Sequence, residues 1–254
     1  MRLSLILTIN NRPADVSRKV ADSFRLPGNL PDEVVVVLDR PTDAARIGAE
    51  MAWADYPARL LWVEIGGEPG WICPARAWNA GYAAATGDLL YVISSEVVQD
   101  AGNVDKARKL CANGDVAMFG ACHNSVATEL VTGAEPGLLS STKTPRPLGF
   151  IACMPAPSIK SIGGNDLEFM RGLWYEDDDL YLRLWRSGLD FLFTDDVHGV
   201  HLDHARPGLA TPEGQAKILT NQAYMLRKHG LLHPWGNMPR MVEYAPRSVI
   251  WRHI

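Results

Sequence analysis

The sequence predicts an α/β fold in which a mostly parallel sheet is flanked by helices. Short apolar, β-branched runs alternate with segments of helical periodicity throughout the N-terminal half. These runs lack the apolar–polar alternation of half-exposed strands, and unbroken runs are typical of parallel strands that are buried on both faces. With 254 residues, of which 47% are hydrophobic and 21% charged, the chain is long enough to bury a core without disulfides.

The order of elements in the N-terminal half supports this fold class. Apolar runs predict strands at 3–9, 33–38, 60–65 and 89–93. Periodic segments between them predict helices at 16–24, 44–53 and 74–85. Val16, Val20 and Phe24 have the spacing of one helix face, and Pro74 suits a first helical turn. Such an alternation of strands and helices predicts a parallel, doubly wound sheet.

The C-terminal half shows less regular patterns. They predict helices at 104–111, 180–185 and 211–229, and strands at 116–121, 149–154, 191–194 and 197–201. Residues 128–147 are rich in Gly, Ser, Thr and Pro, and a loop of this length is usually functional. We therefore predict that this segment is a lid over a ligand. The tail at 234–254 has no clear period.

Charge and composition exclude several classes of protein. The net charge of −4 gives no electrostatic footprint for non-specific nucleic-acid binding. None of the 4 cysteines forms a CxxC pair, so a cysteine-based zinc site is not predicted. No apolar run reaches about 18 residues, so no membrane span is predicted. The apolar run at the N-terminus is too short for a signal peptide, which predicts a cytoplasmic protein.

Polar side chains follow the predicted strands at the carboxyl ends, where open parallel sheets bind their ligands. They are Thr8, Asn10, Asn11 and Arg12 at the first strand, Asp39 at the second, and Ser94, Ser95 and Glu96 at the fourth. If the strands are parallel, these groups converge on one edge and form a candidate ligand site. Turn chemistry is the alternative explanation, because Asn, Asp and Ser also favour turns.

An acidic cluster opens the helix that we predict near residue 180. Glu176, Asp177, Asp178 and Asp179 are consecutive, and Arg183 follows Asp179 at the i, i+4 spacing of a helical ion pair. Acidic residues favour a helix N-terminus, which accounts for one or two of them. A further carboxylate that faces a substrate hydroxyl can act as a general base.

Histidines follow the acidic cluster at His198, His201 and His204. A lone histidine is more often structural, and His201 and His204 need a bend between them to converge. Together with Glu96, however, they offer a mixed set of oxygen and nitrogen ligands for a divalent cation. Such a set would suit Mn²⁺ or Mg²⁺, with nucleotide phosphates completing the coordination.

The order of these motifs resembles that of family 2 glycosyltransferases with a GT-A-type fold. The segments that carry the resemblance are 8–13 (TINNRP), 39–43 (DRPTD), 75–81 (ARAWNAG), 85–93 (ATGDLLYVI), 163–166 (GGND), 176–188 (EDDDLYLRLWRSG), His201, Asn221 and 228–230 (KHG). Each segment is weak evidence alone, but their order and spacing over residues 3–230 are fairly specific. The resemblance implies nucleotide-diphospho-sugar transfer.

The resemblance also implies an architecture. We expect one GT-A-type domain with a Rossmann-like nucleotide-binding sheet and a smaller, mixed sheet on the acceptor side. Residues 1–204 would form the core, with 1–100 as the donor-binding half and 101–204 as the acceptor and catalytic half. Residues 205–254 would form a C-terminal helix and tail that pack on this core.

The resemblance assigns roles to the candidate residues. Asp39 would bind the uracil of a UDP-linked donor, Arg76 its ribose or phosphate, and Thr8, Asn10, Arg12, Ser94 and Ser95 would form the rest of the pocket. Asp177 would deprotonate the acceptor hydroxyl, and Glu176 or Asp179 would hold the acceptor or substitute as base. Glu96, with His201 or His204, would bind Mn²⁺ or Mg²⁺. The expected activity is that of an inverting hexosyltransferase with an unknown acceptor.

The sequence departs from the family pattern at two places. The Asp-x-Asp position is Ser94-Ser95-Glu96, which keeps only the last carboxylate, and Leu38-Asp39 stands where many relatives have two acids. A non-catalytic nucleotide-sugar-binding protein therefore remains an alternative. A sugar-phosphate nucleotidyltransferase is a further one, although residues 8–13 lack the glycines of a phosphate loop.

Overall fold

A computed structural model of the chain describes residues 1–67, 73–125, 138–204, 209–231 and 241–253. The strands are β1 Leu3–Ile9, β2 Glu33–Asp39, β3 Arg59–Ile65, β4 Leu89–Ile93, β5 Val97–Gln99, β6 Val116–Asn124, β7 Leu138–Ser140, β8 Ile151–Pro155, β9 Asp190–His201, β10 Val242–Ala245 and β11 Ser248–Trp251. The helices are α1 Ala14–Ser23, α2 Asp43–Trp53, α3 Ala75–Ala84, α4 Asn103–Leu110, α5 Ala156–Ser161, α6 Glu176–Arg186 and α7 Pro212–His229, with a 3-10 helix at Leu167–Arg171.

One continuous sheet organises these elements, in the order β10-β11-β9-β6-β8-β4-β1-β2-β3. Strands β3, β2, β1 and β4 are parallel, as the sequence predicts. Beyond β4 the sheet is mixed, because β8 pairs antiparallel with both β4 and β6, while β6 and β9 are parallel. The predicted mixed part is therefore continuous with the parallel part. Short strands β5 and β7 pair with β9 and β6 outside this order.

Helices cover both faces of the sheet and bury two apolar layers. One layer joins alternate side chains of β1 and β2 to Phe24 beside α1, Trp53 of α2 and Val104 of α4. The other layer joins the opposite side chains of these strands to Tyr82 of α3 and Leu184 of α6. Burial on both faces explains the unbroken apolar runs of β1, β2 and β4, whereas β3, at the edge of the sheet, is mostly exposed or half-buried.

The sequence-based prediction of two short strands at 191–194 and 197–201 is wrong, because these residues form the single strand β9. The register of β9 against β6 shifts between Gly120 and Ala121, which pair with Thr194 and His198. A Cβ atom on Gly120 would lie 2.8 Å from the Val197 carbonyl oxygen, so the shift depends on this close backbone approach. The register shift interrupts the apolar pattern of β9, and this interruption is the reason why the sequence predicted two strands.

The tail joins the sheet, although its sequence showed no period. Strand β11 pairs antiparallel with β9, and β10 pairs with β11 at the edge. The proposed boundary after residue 204 stays a prediction. Of the predicted lid, residues 128–137 lie outside the described residues, and β7 lies in the remainder. Among the described helices, none is both long enough and apolar enough to cross a membrane.

Glu33 ties the N-terminal half together at the start of β2. Its carboxylate is fully buried and accepts hydrogen bonds from Ser4 Oγ at 2.6 Å and from Thr86 Oγ1 at 2.8 Å. Arg59 Nη1 lies 3.3 Å away. Burial raises the pKa of Glu33, but these hydrogen bonds outweigh burial and hold the pKa below its usual value. One carboxylate thus joins β1, β2, β3 and the turn before β4.

We predict that Glu33→Ala lowers the free energy of unfolding by about 3 kcal/mol, because it leaves the buried Ser4 hydroxyl without its acceptor and removes the acceptor of Thr86 and Arg59. Urea denaturation measures this loss. The matched control is Glu64→Ala, which removes an exposed carboxylate that pairs with Arg46, and its loss should be much smaller. Equal losses for the two variants would contradict the role of Glu33.

Candidate active site

Glu96 is the centre of the candidate site. It follows β4, and its side chain is buried. Its Oε1 atom lies 3.3 Å from His201 Nε2 and 3.2 Å from His204 Nε2. One ligand atom from each of these residues lies within 4.8 Å of the others. The predicted carboxylate and both predicted histidines therefore converge.

Local structure explains this convergence. Strand β5 pairs Val97 with His201, which places Glu96 beside the end of β9. The backbone N–H of Leu202 donates to the Glu96 carbonyl oxygen at 2.8 Å. Strand β9 ends at His201, so residues 202–204 are not held to the alternation of a strand and His204 can reach the same carboxylate.

Arg12 completes the cluster from the end of β1. Its Nε atom lies 3.1 Å from Glu96 Oε2, and its Nη2 atom lies 3.1 Å from Glu96 Oε1. Nε also lies 3.2 Å from Ser95 Oγ, which in turn donates to Glu96 at 3.0 Å. Nη1 lies 3.4 Å from His204 Nδ1. The sequence placed Arg12 in a donor pocket and Glu96 in a metal site, and the structure makes them one site.

The charge of Glu96 is stabilised by its surroundings. Burial raises the pKa of this carboxyl, but hydrogen bonds with His201 and His204 and the charge of Arg12 outweigh burial. The pKa is therefore held well below its usual range, and Glu96 is a carboxylate at neutral pH. A buried anion of this kind needs a cation nearby.

The donor set fits a divalent cation. One carboxylate oxygen and two imidazole nitrogens suit Mn²⁺ better than Mg²⁺, because Mg²⁺ prefers oxygen ligands. His201 Nδ1 is buried and has no hydrogen-bond partner in the described part of the chain.

Ser94, at the position of the absent first acid, is half-buried, and its backbone N–H donates to the Phe150 carbonyl oxygen at 3.2 Å.

The predicted base-binding residues meet at the ends of β1 and β2. Asn10 Nδ2 donates to the Asp39 carbonyl oxygen at 2.6 Å, and Thr8 lies half-buried in β1. The buried carboxylate of Asp39 accepts from Arg40 Nε at 2.8 Å and from Arg40 Nη2 at 2.9 Å. Each carboxylate oxygen of Asp39 has a further lone pair, so Asp39 can accept another hydrogen bond while it stays paired with Arg40.

The acidic cluster forms the first turn of α6. Trp174 and Tyr175 precede it with φ angles of 65° and 69°, which are left-handed conformations that non-glycine residues rarely adopt. Burial raises the pKa of Glu176 to about 7, and its Oε2 atom is buried with no hydrogen-bond partner among the described residues. The Cys73 thiol also interacts with this carboxyl.

Asp177 has a strongly perturbed carboxyl group. Burial, together with the charges of Asp178 and Glu176, raises the pKa of Asp177 well above its usual range. Its Oδ1 atom accepts the backbone N–H of Asp178 at 2.8 Å. A carboxyl with a raised pKa is a stronger base than an ordinary aspartate, which suits general base chemistry.

Asp179 is paired through both of its carboxylate oxygens, and its role in holding the acceptor stays a prediction. Its side chain is fully buried, and Arg183 Nη2 lies 2.7 Å from Oδ2. Lys228 Nζ lies 2.6 Å and His229 Nε2 lies 2.7 Å from Oδ1. Both oxygens are thus paired with groups of α6 and α7, so Asp179 fastens these helices together. Lys228 extends this network to Asp166 at 2.6 Å.

Residues 146–150, before β8, interact with both the Glu96 cluster and the acidic cluster of α6. The Phe150 ring lies 5.2 Å from the His201 ring, measured between centroids. At the other end of the segment, the charge of Arg146 partly offsets the rise in the pKa of Asp177.

Arg76 lies exposed in the first turn of α3, and it makes no hydrogen bond to the Glu96 cluster within the described ranges.

Sequence reasoning missed three contacts of this site. It did not pair Arg12 with Glu96, although β1 and β4 are neighbours and their carboxyl ends meet at one edge. It also missed Cys73 beside Glu176, and Lys228 beside Asp179. No local pattern identifies either of these two, because both partners come from elements that are distant in sequence.

Comparisons with solved structures identify the fold. The mannosyltransferase PcManGT from Pyrobaculum calidifontis, in complex with GDP-Man and Mn²⁺, matches with a TM-score of 0.64 and 18% identity over 92% of this chain and 68% of that one. GalNAc-T7 with UDP, GalNAc and Mn²⁺ matches with a TM-score of 0.63 and 11% identity over 88% of this chain and 47% of that one. S. aureus TarS 1-349 in complex with UDP-GlcNAc matches with a TM-score of 0.59 and 12% identity over 89% and 67%.

These likenesses show that the chain has a GT-A-type glycosyltransferase fold, as the sequence resemblance implied. The chain spans about two thirds of the length of PcManGT and TarS 1-349, and less than half of GalNAc-T7. No family model and no curated protein matches the sequence. At identities this low, the structural likeness establishes the fold alone.

We predict that Mn²⁺ raises the melting temperature of the protein by about 4 °C at saturating concentration, because a ligand that binds only the folded state stabilises it. Differential scanning fluorimetry measures the shift. Glu96→Gln should abolish it. His198→Ala is the matched control, because His198 lies on the same strand but pairs with Asp100, so the shift should persist. A shift that survives in Glu96→Gln would place the cation elsewhere.

Proposed function

We propose that this protein is a glycosyltransferase that moves a hexosyl group from a nucleoside diphosphate sugar to a hydroxyl acceptor. The observation that carries the proposal is the convergence of Glu96, His201 and His204 at the carboxyl edge of the parallel strands in a GT-A-type fold. That edge is where open α/β sheets bind ligands. The proposed cofactor is Mn²⁺, with Mg²⁺ as the weaker alternative.

The proposed donor is UDP-linked. Solved structures of similar fold contain UDP, UDP-GlcNAc or GDP-Man, which supports a nucleoside diphosphate sugar as the class. Asp39, at the end of β2, is the candidate partner of the uracil ring, with Thr8 and Asn10 beside it. A cytoplasmic location stays a prediction from sequence, and cell fractionation tests it.

The proposed chemistry is a single displacement with inversion. Asp177 takes the proton of the acceptor hydroxyl, and the hydroxyl oxygen forms a bond to the anomeric carbon from the face opposite the leaving group. The bond from that carbon to the diphosphate oxygen breaks, and the nucleoside diphosphate leaves with the electron pair. A cation bound by Glu96, His201 and His204 would supply positive charge that stabilises the diphosphate. Glu176 lies beside Asp177 and supports its raised pKa.

A non-catalytic nucleotide-sugar-binding protein is the second candidate. Two observations favour it: Ser94 replaces the first acid of the metal motif, and Arg12 occupies both oxygens of Glu96. The perturbed pKa of Asp177 favours the enzyme, because a binding protein has no need of such a carboxyl.

A panel of UDP- and GDP-sugars, with and without Mn²⁺, tests the proposed function. We predict that UDP-sugars raise the melting temperature with Mn²⁺ present and are slowly hydrolysed, with water replacing the unknown acceptor. Asp177→Asn should keep donor binding and lose about 100-fold in hydrolysis, measured by release of UDP. Binding without turnover would favour the binding protein, and the absence of binding to any donor would refute both candidates.

The pH dependence of turnover gives a second prediction. A general base works deprotonated, so kcat/KM should rise with pH through the raised pKa of Asp177, and its acidic limb should lie well above pH 4. Asp178→Asn removes a charge that raises this pKa, so the limb should move to lower pH. Asp105→Asn, on the exposed side of α4, is the control and should not move it. An unmoved limb in Asp178→Asn would exclude Asp177 as the base.

A further inference from the structure

Arg12 holds both carboxylate oxygens of Glu96. The Nε and Nη2 atoms of the guanidinium each lie 3.1 Å from one oxygen, which is a bidentate pair. The Arg12 side chain is 20% exposed, whereas that of Glu96 is 9% exposed. The arginine is therefore the more exposed partner of the pair.

A divalent cation would need the same carboxylate. Glu96 Oε1 is the atom that lies closest to both His201 Nε2 and His204 Nε2, and it is also the atom that Arg12 Nη2 contacts. A guanidinium and a divalent cation on one carboxylate would repel each other strongly in a buried site. The two cations therefore compete for Glu96.

We infer that Arg12 is a displaceable counter-ion of Glu96, which a divalent cation replaces and which then binds the diphosphate of the donor. The second half of this inference rests on the proposed function, and the first half does not. Arg12 lies three residues after the end of β1, and β1 and β4 are paired, so the displaced side chain stays at the same edge of the sheet. Guanidinium groups match phosphate oxygens in geometry and charge.

Displacement of Arg12 from Glu96 couples the binding of the cation to the binding of the nucleotide. Without nucleotide, Arg12 lowers the affinity for the cation, because it must be removed from Glu96 first. A nucleoside diphosphate offers the displaced guanidinium a new partner, so nucleotide and cation should strengthen each other's binding by the same factor. Arg12 is the residue that couples the two.

Isothermal titration of Mn²⁺ into the full chain, without nucleotide, tests the first half. Arg12→Met keeps much of the aliphatic length and removes the charge, and it should bind Mn²⁺ roughly tenfold more tightly than wild type or better. Arg46→Met is the matched control, because it removes the same charge from an exposed pair with Glu64, and its affinity should equal that of wild type. Circular dichroism establishes that each variant is folded.

Two further measurements keep the test decisive. Arg12→Lys, which keeps a charge but not the bidentate pair, should bind Mn²⁺ more tightly than wild type, and it carries the test if Arg12→Met does not fold. The factor by which Mn²⁺ strengthens UDP and GDP binding should be smaller in Arg12→Met than in wild type. An equal factor would overturn the second half of the inference.

Unchanged or weaker Mn²⁺ binding by the Arg12 variants would overturn the competition, while Mn²⁺ binding by the wild type would still support the cation site. Absence of Mn²⁺ binding in every variant would overturn the competition together with the cation site. Tighter binding in the variants without turnover of any donor would uphold the competition and refute the proposed transferase. The two proposals therefore fail in different ways.

Discussion

One buried carboxylate, that of Glu96, constrains the structure around the candidate site. A buried charge is strongly unfavourable unless cationic or hydrogen-bonding groups surround it. Glu96 follows β4, the strand at which the parallel half of the sheet meets the mixed half. Arg12 reaches it from the parallel half, and His201 and His204 reach it from the mixed half. Neutralising this single group therefore joins the two halves of the fold at one point.

The carboxyls of α6 have the opposite electrostatic environment. Glu96 has strong partners and a lowered pKa, whereas burial and like charges raise the pKa values of Glu176 and Asp177. Carboxyls whose environments move their pKa values apart can take different roles in one site. Asp179 supports this arrangement, because its ion pairs with α7 fix the first turn of α6. In the proposed transferase, cation binding and proton transfer thus belong to separate groups.

The sequence predicted more of the fold than of the contacts. Unbroken apolar runs identified the parallel strands, and for β1, β2 and β4 burial on both faces is the reason for this pattern. The tail strands left none, and β9 was divided by the register shift at Gly120. Ligand-site reasoning grouped Glu96 with His201 and His204. The sequence could not distinguish the environments of Asp177 and Asp179. The difference comes from Lys228 and His229, which pair with Asp179 only because α7 packs against α6.

A crystal structure with Mn²⁺ and UDP, with anomalous data collected at the manganese absorption edge, tests the central claim most directly. We expect one anomalous peak bonded by Glu96, His201 and His204, with the Arg12 guanidinium withdrawn from Glu96 and placed against the diphosphate. A peak bonded by other residues would contradict the cation site. A peak at Glu96 with Arg12 still paired to both of its oxygens would contradict the displacement of the arginine.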